Sequence, residues 1–186
     1  MIIGHLPAGY ILSSYIVKPL LKGTPAGIFP GRLLLIGSLS SIVPDLDMAY
    51  FYFIDQGKHL HHSYWTHLPV FWTGLAVLVL TIVIARGHCA LLPYGLTILI
   101  GILSHLLLDT ITGGIRWFYP YSNRYFFLFQ VPPIHKWWVL NFVLHWTFII
   151  ELVLTAVACW IFLNRKGTGK GTQAMTHFTL LEKHRG

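Results

Sequence analysis

The sequence predicts an all-α protein, a polytopic membrane bundle of four to five helical spans. Three observations carry this. First, 55% of the 186 residues are hydrophobic and only 10% are charged, whereas a soluble domain carries about 25% charge. Second, mean hydropathy is +0.64. Third, runs 68–85, 91–111 and 137–163 are almost unbroken apolar stretches, near the roughly 20 residues that cross a bilayer. The length suits one domain, with 1–163 embedded in the membrane and 164–186 outside it.

Taken in order, 2–21 (IIGHLPAGYILSSYIVKPLL) is a weaker span, interrupted by His5, Pro7 and Lys18. Residues 22–32 (KGTPAGIFPGR) form a Gly/Pro loop. Run 33–54 is apolar but broken by Pro44, Asp45 and Asp47. A His-rich loop, KHLHHSYWTH at 58–67, then leads into 68–85, and Asp55 just before it is expected to be exposed. Runs 91–111 and 137–163 are the last two spans, and from Asn164 a polar tail is expected to be disordered. Cys89 and Cys159 lie in apolar surroundings with no CxxC pattern, which predicts free, packed thiols. The first residues have no basic region and no small-residue cleavage site, so no removable signal is expected.

Charge sets the orientation. With five spans, Lys18, Lys22, Arg32, Arg86, Arg165, Lys166, Lys170, Lys183 and Arg185 share one side, and Lys58, Arg116, Arg124 and Lys136 share the other. The positive-inside rule then puts the C-terminus in the cytoplasm. The net charge of +7 is spread over span ends, which suits a lipid bilayer as partner rather than nucleic acid.

Under this topology the polar residues collect near the outer face. Asp45, His105, Asp109 and His5 lie about 20–27 Å along their runs at 1.5 Å per residue. His105 and Asp109 in GILSHLLLDTITGG are four apart, so they share a helix face. The loop 58–67 supplies His61, His62 and His67, and Asp47 follows Asp45. A carboxylate in lipid is costly unless paired or metal-bound. Imidazole and carboxylate without thiolate suit a divalent metal, zinc, manganese or iron, in a site with open positions. Each group also has a plainer reading, as a turn, a cap or an interfacial connector. His145 and Glu151 read as inter-helix hydrogen-bonding groups, with Glu151 in the inner half of its span. Arg116 and Arg124 read as interfacial anchors or as phosphate-binding groups at a pocket mouth. No GxSxG, P-loop, HExxH or GxGxxG motif is present.

The pattern resembles the YdjM/YbcI family of bacterial inner-membrane proteins, to which metal-dependent hydrolysis is attributed. The resemblance rests on GHLPAGY (His5), PDLD (Asp45, Asp47), HSYWTH (His62, His67), and SHLLLDTITGG followed by WFYP. It departs at Ser63, where that family usually has Arg. It also points distantly to zinc-dependent phospholipase C and S1/P1-type nucleases, which use an early ligand, an Asp, a His and a His-x3-Asp pair. His5, Asp45, His62, His105 and Asp109 follow that order and are the expected metal ligands. The nucleases' second His-x3-acid pair has no counterpart here. Asp47 and His67 are then the expected catalytic acid–base or orienting residues. The resemblance implies a metal-dependent hydrolase, with zinc the expected metal. The position of the cluster near the outer face favours a phosphoester of a phospholipid or lipid-linked substrate. A metal transporter and a non-catalytic structural protein are the alternatives, and haem held between His105 and His145 is a more distant one.

Overall fold

The computed structural model describes residues 1, 3–21 and 29–183. Helices α1 (His5–Leu21), α2 (Pro30–Ser40) and α5 (Leu92–Thr112) pack on one another at the centre. Helix α7 (Phe148–Lys183) lies against α1, and α4 (Pro69–Ala85) against α5. Two short helices, α3 (Met48–Tyr50) and α6 (Trp138–Val143), sit in the connections. Among the described residues the only β-type pairing is an isolated antiparallel bridge between Ile115 and Phe126. The chain is therefore all-α.

Cys89–Thr112 and Phe148–Arg165 are each long and apolar enough to cross a membrane, and the bent pair Pro30–Ser40 and Pro44–Asp55 makes a third candidate. Helices α1 and α4 have 17 residues each and are slightly shorter than a full span. The bend in the pair is 43°. Its cause is Pro44, which has no N–H to continue the ladder of α2. The chain continues as a 3₁₀ turn, Pro44–Asp47.

Small residues let the three central helices approach closely. A Cβ on Gly101 would stand 2.6 Å from the Gly37 carbonyl oxygen and 2.8 Å from Ser40 Cβ. Gly37 in turn abuts Ser13, and Gly9 abuts Ser41. In lipid, apolar burial does not favour one helix over another, so backbone approach and inter-helix hydrogen bonds hold the bundle. One such bond runs from Ser41 Oγ to the His5 carbonyl at 2.8 Å, tying the end of α2 to the start of α1.

Several expectations need correction. Run 137–163 is not one helix but breaks at 144–147 between α6 and α7. His145 Nδ1 and Thr147 Oγ1 are 2.8 Å apart, and the Phe148 N–H donates to the His145 carbonyl at 3.0 Å. These local bonds compete with continuous helix. Glu151 consequently sits in the first turn of α7 rather than deep in the inner half. Asp55 is buried, not exposed, and holds the His59 N–H at 2.9 Å and His59 Nδ1 at 2.6 Å. Cys89 and Cys159 are free, as read, but face outwards. The backbone of α7 runs on to Lys183. No proline interrupts 134–186, so nothing in the sequence forbids this continuation. Most of the 22–32 loop lies outside the described residues. So do the side chains of Lys18, Lys22, Lys166, Lys170, Lys183 and Arg185, on which the orientation rests.

Two glycines give opposite expected outcomes. Gly101→Ala drives a methyl into the α2 backbone and should destabilise by about 1–3 kcal/mol. Gly74 in α4 has nothing within 4 Å of its would-be Cβ, so Gly74→Ala should be neutral or stabilise by up to about 1 kcal/mol. Thermal unfolding in detergent distinguishes them. Equal midpoints would contradict the close α2–α5 approach.

Candidate metal centre

Four segments bring ligand-type side chains together. The start of α1 supplies His5, the break after α2 supplies Asp45, the loop before α4 supplies His61, His62 and His67, and the end of α5 supplies His105 and Asp109. His67 and His105 are fully buried, and Asp109 and His5 are 1% and 2% exposed. These are among the most deeply buried side chains in the protein.

Each of three imidazoles gives its Nδ1 side to a fixed acceptor. His105 Nδ1–H donates to the Ser41 carbonyl at 2.8 Å. The break at Pro44 leaves that carbonyl outside the helical ladder. His62 Nδ1–H donates to the Gly113 carbonyl at 2.7 Å, just past the last turn of α5. His67 Nδ1 meets Asp47 Oδ2 at 3.1 Å, and Thr66 Oγ1 also donates to Asp47. Orientation of this kind leaves Nε2 to bind a cation and is typical of metal-ligating histidines.

The Nε2 atoms and two carboxylate oxygens converge. His105 Nε2 and His67 Nε2 face each other at 3.4 Å. Asp109 Oδ2 is 3.0 Å from His105 Nε2 and 3.6 Å from His67 Nε2. Asp45 Oδ1 is 3.6 and 3.7 Å from the same two nitrogens. For a tetrahedral ion with bonds near 2.1 Å the donor–donor edge is about 3.4 Å. Asp45, His67, His105 and Asp109 thus match the span of one zinc-sized ion. Yet beyond ion-pair contacts, among the described residues Asp109 Oδ2 and both ring nitrogens of His5 have no hydrogen-bond partner. Lone pairs that face one another at this spacing call for a cation or a proton between them. The donor set, nitrogen and oxygen without sulfur, fits a divalent metal.

The other oxygens of the two carboxylates look to a second side. His5 Nε2 lies 3.2 Å from Asp109 Oδ1 and 3.8 Å from Asp45 Oδ2, with its ring stacked on His105 at 3.8 Å. The Met1 ammonium lies 2.7 Å from Asp109 Oδ1, so a positive group already stands beside this carboxylate. His62 Nε2 is 3.4 Å from Asp109 Oδ2. In the loop, burial pushes His62 down to about 4 despite the pull of Asp109, which keeps its ring neutral. Burial also opposes charge on His67, but its bonds to Asp45 and Asp47 and the field of Asp109 outweigh this and push it up to about 9.

All seven expected site residues therefore meet: His5, Asp45, His62, His105 and Asp109, together with Asp47 and His67. Two features differ from expectation. His67 points Nε2 into the donor group, and Asp47 stands behind it. His61, not among the expected ligands or catalytic residues, sits between the aspartates, with Nε2 3.1 Å from Asp45 Oδ1 and Nδ1 3.2 Å from Asp47 Oδ1. The sequence signal was the crowding of three histidines within seven residues, HHSYWTH. Spacing alone does not say which of two adjacent histidines turns inwards.

Fold and site together define a polytopic helical membrane protein with a buried His/Asp cluster able to hold a metal ion. The chain belongs to the YdjM inner membrane protein family, whose model matches residues 1–179. It is similar to inner membrane protein YbcI of Escherichia coli (strain K12), with 33% identity over 111 residues, 56% of this chain and 63% of that protein. The chain thus spans less than two thirds of the length of that relative. No solved structure matches it. The family and the apolar helices support an inner-membrane location.

Gly113 gives a test of His62 as a donor. Its φ of −103° is open to any residue, but an added Cβ would overlap the His62 ring. Gly113→Ala should therefore weaken Zn²⁺ binding by about tenfold or more, while Gly31→Ala, which meets nothing within 4 Å, should not. Chelator competition measures this. Unchanged affinity in Gly113→Ala would remove His62 from the donor set.

Proposed function

We propose that the protein is a membrane-bound, metal-dependent hydrolase acting on a phosphoester of a lipid or lipid-linked substrate at the outer face of the inner membrane, with its C-terminus in the cytoplasm. The observation that carries this reading is a cavity of about 610 Å³ that adjoins the His/Asp cluster. Asp45, His61 and His62 form its polar end. Phe51, Leu60, Phe127, Trp138 and Phe142 make its other walls apolar. The size is that of a small-molecule site, and one polar end on an apolar chamber matches an amphiphile.

In this reading Asp45, His67, His105 and Asp109 hold a divalent ion, most suitably zinc, with His5 and His62 completing the donors. When bound, such an ion activates water and polarises a phosphoryl oxygen. Asp47 keeps the His67 ring in the tautomer that leaves Nε2 free. His67 is fully buried, so the acid–base role falls to His61, which lines the cavity and is not one of the ion's donors. Arg116 is suited to an anionic group near the cavity. It donates to the Ser63 carbonyl at 2.6 Å, one residue from His62, and its guanidinium lies 5.5 Å from the Tyr125 ring, which lines the cavity.

Purified protein stripped with chelator and reloaded with Zn²⁺ or Mn²⁺ should hydrolyse phosphoester lipids or chromogenic phosphoesters. His105→Ala and Asp109→Asn should reduce the rate to background, and His135→Ala, on the exposed surface, should leave it unchanged. A metal-loaded wild type inert towards all such substrates would favour transport or a structural role.

The orientation has its own check. A reporter after Arg165 should read cytoplasmic and one within 115–126 periplasmic. Both reporters on one side would separate the cluster from the outer face.

A further inference from the structure

We infer that Glu151 is a positioning residue that fixes His5 in the metal centre, an inference that rests on the metal-centre reading above. Glu151 is an acidic residue in an apolar helix and only 3% exposed. Its Oε2 accepts the N–H of Ile3 at 2.6 Å and the N–H of Gly4 at 2.9 Å. Helix α1 begins at the next residue, His5. These N–H groups thus belong to the helix start, where backbone donors lack intrahelical partners. A carboxylate there also meets the positive end of the helix dipole. The approach is close, since a Cβ on Gly4 would stand 3.3 Å from Glu151 Cγ.

His5 differs from the other donors in how it is held. His62, His67 and His105 are each oriented through Nδ1, by Gly113, Asp47 and Ser41. Among the described residues His5 Nδ1 has no acceptor, and Nε2 faces Asp109 Oδ1 at 3.2 Å as an ion-pair contact. With no bond at Nδ1, the direction of the ring rests on its backbone, on stacking on His105 and on the Asp109 contact at Nε2. Ser41 Oγ holds the His5 carbonyl from one side, and Glu151 holds the two preceding N–H groups from the other. Glu151 thus does through the main chain what the three acceptors do at the rings. The break at 144–147 makes this possible, because it starts α7 at Phe148 and brings residue 151 level with the start of α1.

The test uses diethyl pyrocarbonate labelling of histidines in the metal-free, detergent-purified protein, read by mass spectrometry. In the wild type His5, His67 and His105 should be protected relative to exposed His135. In Glu151→Ala only His5 should become reactive, with His67 and His105 still protected. Glu151→Gln retains a carbonyl oxygen able to accept both N–H groups, so it should keep His5 protected. In a second arm, Glu151→Ala should weaken Zn²⁺ binding about tenfold or more. The double variant with His5→Ala should bind no more weakly than His5→Ala alone. Continued protection of His5 in Glu151→Ala overturns the inference, as does joint exposure of all three histidines or an additive loss in the double variant. If the labelling pattern holds but the wild type takes up no Zn²⁺, the positioning role stands and the metal reading fails.

Discussion

A carboxylate that is 1% exposed inside an apolar bundle is the constraint on which this structure depends. Asp109 sits near the end of α5 with four imidazole Nε2 atoms within 3.6 Å of its oxygens. An isolated carboxylate at such a place costs several kcal/mol or takes up a proton. Positive charge must therefore gather around it. His5, His62, His67 and His105 come from three separate segments, and none would be driven there by apolar burial. The cluster is what gives this end of the bundle a reason to close.

The local irregularities of the fold serve that closure. Pro44 ends the α2 ladder, which turns Asp45 towards the cluster and leaves the Ser41 carbonyl for His105. The end of α5 at Gly113 exposes a carbonyl that orients His62, and the missing side chain there makes room for its ring. The carbonyls of Thr110 and Ile111 are taken by the N–H groups of Leu128 and Phe129 at 2.9 and 2.8 Å. The returning aromatic segment is thereby fastened over the site, and Phe127 within it becomes a wall of the cavity. The small residues Gly37 and Gly101 set the depth at which these pieces meet.

Much of this was legible in the sequence. Apolar runs gave the helices because lipid demands long uninterrupted stretches, and Pro44 announced its own bend. The His105–Asp109 pair could be placed on one face from helical spacing alone. What spacing does not carry is rotamer and loop path. The inward turn of His61 and the entry of His67 into the donor group depend on two 3₁₀ turns, His61–Ser63 and Trp65–His67, whose register is fixed by tertiary contacts. The break at 144–147 was also hidden, because no proline or glycine marks it and the apolar run reads through it until the side-chain bond between His145 and Thr147 is seen. That single break moves Glu151 from an unexplained inner position to the start of α1.

The claim that the cluster is a nitrogen–oxygen metal centre is tested most directly by X-ray absorption on the zinc-loaded wild-type protein, with zinc per chain measured in the same sample. The account predicts at least one zinc per chain, first-shell nitrogen and oxygen near 2.0–2.1 Å, and outer-shell scattering from two or more imidazole rings. Absence of stoichiometric zinc, or a sulfur shell near 2.3 Å from Cys89 or Cys159, would contradict it.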